Sequence, residues 1–305
     1  MSNTIPHTGK VGSHEGLARN SDGAGRDDST HLLRTQPSPV SRGHAFMRTL
    51  LSFAIGFVAA QAPAIAADVK PVPTHASEPH GVKNIVIVPG AFVDGSGWRV
   101  VHDILIHKGY NVTVEQPRIE SLADDIDLTR ELIRRQDGPV LLVGHSYGGA
   151  VISVAGTRDK VKGLVYVAAL EPKEGESVSQ LLSSVPAPSN DVVATLDDHL
   201  YVEPSKFAAD FAGDLIKNRT DFMAASQPFA AKAAFTATVS DAAWHTKPTW
   251  AVLTTDDHVL SPDLQRSMYQ RAGSKVTEIK ASHLVYISQP EQVAKVIEDA
   301  ATSLH

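Results

Sequence analysis

The chain has 305 residues, 42% of them hydrophobic and 20% charged, with 28 basic residues against 34 acidic ones and a net charge of −6. That balance excludes a low-complexity or fibrous chain and supplies enough apolar surface for one large domain or two small ones, while an acidic surface argues against nucleic acid or an anionic membrane as a partner. Cysteine is absent, which excludes a disulfide scaffold and leaves stability to the core.

Residues 1–46 are rich in Ser, Gly, His, Asp and Arg and have no apolar periodicity. They bury too little surface to offset chain entropy and read as a disordered extension. Over 47–66 stand Arg48, an eleven-residue apolar run at 50–60, and Ala64-Ile65-Ala66. A basic start, a short apolar stretch and an A-x-A site are the parts of a secretory signal peptide, and a membrane span would need roughly 20 apolar residues. The expectation is cleavage after Ala66, export to the periplasm or medium, and Met47 as the true start; a short membrane anchor is the alternative. Removing residues 1–66 takes away six of the 28 basic and four of the 34 acidic residues and leaves a net charge of −8. Residues 67–82 read as a linker and 83–305 as the folded domain.

From residue 84 the pattern alternates strand and helix. NIVIV (84–88) is a buried strand, followed by the loop PGAFVDGSGW and a helix through Val101, Ile104 and Leu105. NVTVEQP begins a second strand, and Ser121 with Asp124 forms a capping box for a helix carried by Ile126, Leu132 and Ile133. PVLLVGHSYGGAV (139–151) is a strand that stops at Gly144 and restarts as a helix of small residues. Its G-x-S-x-G spacing places Ser146 on a sharp strand-to-helix turn, whose crowding the flanking glycines tolerate. VKGLVYVAAL is a further strand. After a long interruption TWAVLTT resumes the rhythm, Ser261-Pro262-Asp263 opens a helix, and VTEIK is a short strand. A last helix is expected to start at Ser288, with Glu291 as its box partner, and to bury Val293, Val296, Ile297 and Ala300.

Such alternation implies an α/β fold with a mostly parallel, doubly wound sheet, and in such sheets reactive groups sit past the strands' C-terminal ends. That rule gathers the candidates. Backbone N–H groups of Ala91 and Tyr147 suit an oxyanion hole, and Phe92 beside them suits substrate contact. Asp256, Asp257 and His258 follow TWAVLTT, and Ser282 and His283 follow VTEIK. Serine, then acid, then histidine is the chain order of a serine hydrolase on this scaffold. His145 inside the elbow reads as packing. His75 and His80 lie in a Pro-rich lead-in without cysteine, where no metal site is expected, and Asn218-Arg219-Thr220 matches a glycosylation sequon but reads as a turn.

With those residues in view the chain resembles the α/β-hydrolase superfamily, in the lid-bearing serine esterase branch with motifs like HGAFxDGSxW, GHSxGG, DxxIxP and SHxxxxSxP. Here they stand as PGAFVDGSGW, GHSYGG, DHVLSP and SHLVYISQP, in that order; Pro89 departs from the usual His. The resemblance implies Ser146, Asp257 and His283 as a triad, Ala91 and Tyr147 as the oxyanion hole, a small-molecule ester as partner, and neither metal nor organic cofactor. Asp256, or Glu171 at the end of VYVAAL, stays open as the acid. So do C–C or cyanohydrin cleavage on the same scaffold, and a ligand receptor with a slow hydrolase site.

The stretch over 171–247 is too long for one loop. Its apolar positions Leu181, Phe207, Phe211, Leu215, Phe222, Met223, Phe229 and Phe235 have helical spacing, so a helical lid is expected, lining an apolar pocket for a small to medium acyl or aromatic group.

Overall fold

In the computed structural model residues 79–189 and 191–304 are described, all within the unit Asp68–His305. The extension, the leader with its cleavage site, and His75 lie outside the described residues.

The continuous apolar run of β1 (Asn84–Val88) is buried along its whole length, as a central parallel strand must be. Asp94 then accepts the Ser96 N–H at 2.8 Å and starts a 3₁₀ turn, Gly95–Trp98, that leads into α1 (Arg99–His107), with Val101 and Leu105 inward. β2 (Asn111–Val114) precedes α2 (Leu122–Arg135). Ser121 caps α2 by accepting the Asp124 N–H at 3.1 Å, but the reciprocal half of the expected box does not form. The Asp124 carboxylate takes the Ser121 hydroxyl at 2.8 Å instead, because aspartate is one methylene too short to reach the cap's own N–H. β3 (Val140–His145), α3 (Gly148–Ala155) and β4 (Val161–Val167) follow.

Between β4 and the next strand of the main sheet lies an insertion: α4 (Val178–Ser184), β5 (Val192–Ala194), β6 (His199–Val202), α5 (Phe207–Phe211), α6 (Lys217–Ser226), β7 (Ala230–Ala231) and α7 (Lys232–Thr236). The expectation of a purely helical segment is corrected here, since β5, β6 and β7 form a three-stranded antiparallel sheet. Asp198 turns the chain at φ 60, and the Thr195 N–H reaches the His199 carbonyl at 2.7 Å, closing a hairpin whose strands are too short to show alternation. The sequon residues Asn218 to Thr220 open α6 rather than forming a loop turn.

The main sheet resumes with β8 (Thr249–Thr254), α8 (Pro262–Ala272), β9 (Lys275–Ile279), α9 (Val285–Ser288) and α10 (Pro290–Thr302). Its order is β2-β1-β3-β4-β8-β9, parallel at every pairing. Helix α1 packs with α10, and α2 with α3, as two helix layers over the sheet. The last helix starts at Pro290, two residues later than expected: the ring bars the preceding Gln289 from helical geometry (φ −132, ψ 52), so Ser288 ends α9 instead of capping α10. The four residues expected inward, Val293, Val296, Ile297 and Ala300, are buried.

Candidate active site

The sharp turn expected after β3 forms with Ser146 at φ 52, a left-handed conformation unusual for serine, while Tyr147 is already helical at φ −52, ψ −37. This turn is pressed against the end of β1. A Cβ on Gly148 would stand 2.3 Å from the Val88 carbonyl oxygen, and one on Gly90 would stand 2.7 Å from Ser146 Cβ, so both positions require glycine. That close approach brings the loop over residues 90–92 beside Ser146. Among the described residues the N–H groups of Ala91 and Tyr147 donate to no backbone acceptor. Ala91, Phe92, Ser146 and Tyr147 all line one cavity of about 390 Å³. Phe92, itself at φ 63, stacks on Phe235 with ring centroids 6.0 Å apart and meets the edge of Phe211, also at 6.0 Å.

The acid and the histidine come from the far side of the sheet. Asp257, in the loop after β8, is 1% exposed, and both oxygens are held. Oδ1 accepts the N–H groups of Val259 and Leu260, each at 2.9 Å. Oδ2 accepts the Thr254 hydroxyl at 2.8 Å, the Gln265 amide at 3.0 Å and the His283 Nδ1–H at 2.8 Å. Four other donors thus fix the carboxylate that orients one ring nitrogen of His283. The other nitrogen, Nε2, is buried with no protein hydrogen-bond partner among the described residues. The competing acids stand elsewhere. Asp256 is exposed, and Glu171 is buried with its carboxyl 2.9 and 3.1 Å from the Ser274 hydroxyl; burial pushes its pKa up to about 8. Neither is hydrogen-bonded to His283.

His145 packs, as its place in the elbow implied. Its Nε2–H donates to the His283 carbonyl at 3.0 Å, and its ring meets the edge of Trp98. Burial, followed by the neighbouring His283, holds its pKa well below the usual imidazole range, so it stays neutral at physiological pH.

Two residues of the site were not singled out in the sequence. Gln265 bridges Thr254 and Asp257, and its signal was available: it falls inward on α8 between Leu264 and Met268, where a buried amide needs partners. Asp214, from the insertion, accepts the Ser282 N–H at 3.1 Å and its hydroxyl at 2.5 Å, while the Leu284 N–H reaches the Phe211 carbonyl at 3.2 Å. Those bonds pin the loop that carries His283, and no local pattern announces them. Among the described residues no cluster of metal-ligating side chains occurs.

A sequence model of the alpha/beta hydrolase family matches residues 85–296. The chain belongs to that family. It is 26% identical to a pyrethroid hydrolase of Sphingobium wenxiniae, in a match covering 72% of this chain and 88% of that one. Among solved structures it is similar to a pyrethroid hydrolase from Sphingobium faniae JZ-2 (22% identity, TM-score 0.61, 72% and 97% covered). It is also similar to polyneuridine aldehyde esterase (19%, 0.62, 72% and 99%) and to tomato methylketone synthase I complexed with 2-tridecanone (18%, 0.64, 73% and 99%). At such identities the solved structures speak for the fold. As an α/β hydrolase the chain meets the expectation drawn from its four motifs, and the carboxylesterase-like branch is the one its relatives point to.

Proposed function

We propose that this α/β hydrolase cleaves carboxylic esters of small to medium apolar substrates through an acyl-enzyme on Ser146. The observation that carries the reading is the buried Asp257–His283 pair at 2.8 Å, which orients Nδ1 and leaves Nε2 without a protein partner, on a scaffold whose elbow serine lines the same cavity as Ala91 and Tyr147. Nε2 takes the Ser146 proton as the hydroxyl oxygen attacks the ester carbonyl. Asp257 stabilises the imidazolium, and the N–H groups of Ala91 and Tyr147 bind the oxyanion. Collapse breaks the C–O bond, and the alcohol leaves with the proton from Nε2. Water then adds to the acyl-enzyme, giving its proton to Nε2, and collapse returns Ser146 and releases the acid.

The cavity volume of about 390 Å³ and walls such as Leu182, Leu200, Phe211 and Phe235 favour an apolar substrate. The pyrethroid hydrolase to which the chain is similar supports ester cleavage over the lyase and receptor alternatives. A panel of chromogenic esters graded by acyl length tests the reading. Wild type should turn over short and medium esters and be labelled by a fluorophosphonate, and Ser146→Ala should lose about 10⁴-fold or more in rate and all labelling. A Ser146→Ala variant keeping about a tenth of the activity would overturn it.

A further inference from the structure

Behind the elbow lies a buried polar group that the acyl-transfer scheme leaves unused. Asp125, in the first turn of α2, is 1% exposed, and its two oxygens serve two different segments. Oδ2 accepts the Tyr147 hydroxyl at 2.9 Å, and Oδ1 accepts the Ile119 N–H at 3.2 Å. Ile119 is itself held at φ 52, a strained conformation for a β-branched residue, and its carbonyl accepts the Ala231 N–H of β7 at 2.8 Å. Burial raises the Asp125 carboxyl, so keeping an acid here costs free energy that a neutral packing residue would not.

Tyr147 follows Ser146 directly and is clamped at both ends. Its ring stacks on Phe235, with centroids 5.5 Å apart and planes at 27°, and its hydroxyl rests on Asp125. With the side chain fixed, the Cβ direction of Tyr147 is fixed, and so is the tilt of the peptide plane that joins it to Ser146. That peptide carries the N–H assigned to the oxyanion, and a donor acts fully only when held within about 10–20° of its productive direction. The strained Ser146 backbone would otherwise relax. We infer that Asp125 is a positioning residue: by holding the Tyr147 hydroxyl it sets the direction of the Tyr147 N–H at the proposed oxyanion hole.

The inference rests on the acyl-enzyme reading, and the experiment separates the two. Tyr147→Phe deletes one hydroxyl, and Asp125→Asn keeps the shape while leaving one of two donors without its acceptor. Each should lower kcat about tenfold with KM within about twofold, a fraction of the 10²–10³ that follows removal of an oxyanion donor. The double variant should be no worse than about the larger single loss, because both changes break one link. Affinity for a trifluoromethyl ketone, which forms a tetrahedral adduct on serine, should fall by the same factor as kcat, while affinity for the product carboxylate holds. A Tyr147→Phe enzyme with wild-type kcat and only a lowered Tm would show a packing role and overturn the inference, as would losses that multiply in the double variant. Should Asp125→Asn fail to fold, Tyr147→Phe decides alone. Ser146→Ala is run beside them. If it stays active, the acyl-enzyme reading falls and takes this inference with it; if it is inactive while Tyr147→Phe matches wild type, only this inference falls.

Discussion

The parallel sheet and the insertion between β4 and β8 build the candidate site by different means. The sheet carries the groups proposed for the chemistry: Ser146 after β3, Asp257 after β8 and His283 after β9, each at a strand end where the backbone itself sets the position. The insertion supplies walls and an anchor. Phe211 and Phe235 close the cavity, and Asp214 pins the loop of His283, yet Phe222 and Phe229 on the same insertion remain exposed. Regular strands fix a few groups tightly, whereas an irregular segment shapes a space and can vary without disturbing them. On the proposed mechanism the sheet carries the reacting groups, while the insertion walls the cavity and anchors the loop of His283.

The largest expected effect probes the sheet side. Asp257→Asn should lower kcat/KM by roughly 10³ to 10⁴-fold, as loss of a triad acid does, while Asp256→Asn and Glu171→Gln stay within about tenfold, because neither side chain contacts His283. Measuring all three on one ester decides the matter; a large loss at Asp256 or Glu171 with a small one at Asp257 would move the acid to the other residue.

A second effect concerns stability and belongs to the same half. Glu115, directly after β2, is buried, and burial pushes its carboxyl up to about 8, the Thr129 hydroxyl at 2.7 Å offsetting only part of that cost. Below pH ~4.5 the carboxyl is protonated in folded and unfolded chains alike and nothing is lost. Between pH ~4.5 and ~8 only the unfolded chain ionises, so stability falls as pH rises and levels off above ~8. Glu115→Gln removes this term. Its urea-unfolding free energy should match wild type near pH 4 and exceed it by roughly 2–4 kcal/mol near pH 8. An equal difference at both pH values would mean that Glu115 is ionised in the folded chain.

The smallest effect tests whether the insertion does more than line the cavity. Asp214→Ala releases the Ser282 N–H and hydroxyl and should let the His283 loop drift. A loss of about tenfold in kcat is expected, since a displacement near 1 Å costs up to about 10²-fold in rate. A variant with wild-type kcat but an altered acyl-length preference would confine the insertion to selectivity, and would sharpen the contrast between the two regions.

How far the chain could be read before it was seen folded follows the same division. Strands such as NIVIV and VLLVGH are legible because burial on both faces leaves continuous apolar runs, and Ser146 is legible because the steric demand of the elbow is written in neighbours two positions away. Asp257 and His283 were within reach because a parallel sheet delivers its loops to one edge, so their order along the chain already implied proximity. Three-residue strands such as β5 escape any periodicity window, and Pro290 displaced a helix start that capping rules alone put at Ser288. Nor could local rules choose between Asp257 and Asp256, one residue apart. What sets them apart is the burial of Asp257 and the Thr254 hydroxyl, the Gln265 amide and two backbone N–H groups converging on its carboxylate. The sequence by itself determined the fold class and singled out Ser146 and His283 as candidates, because those depend on local periodicity and local sterics. Only the tertiary structure showed the Asp257–His283 hydrogen bond, the Asp214 anchor and the Asp125–Tyr147 link, because each joins residues distant in the chain whose pairing exists only once the sheet and the insertion are packed.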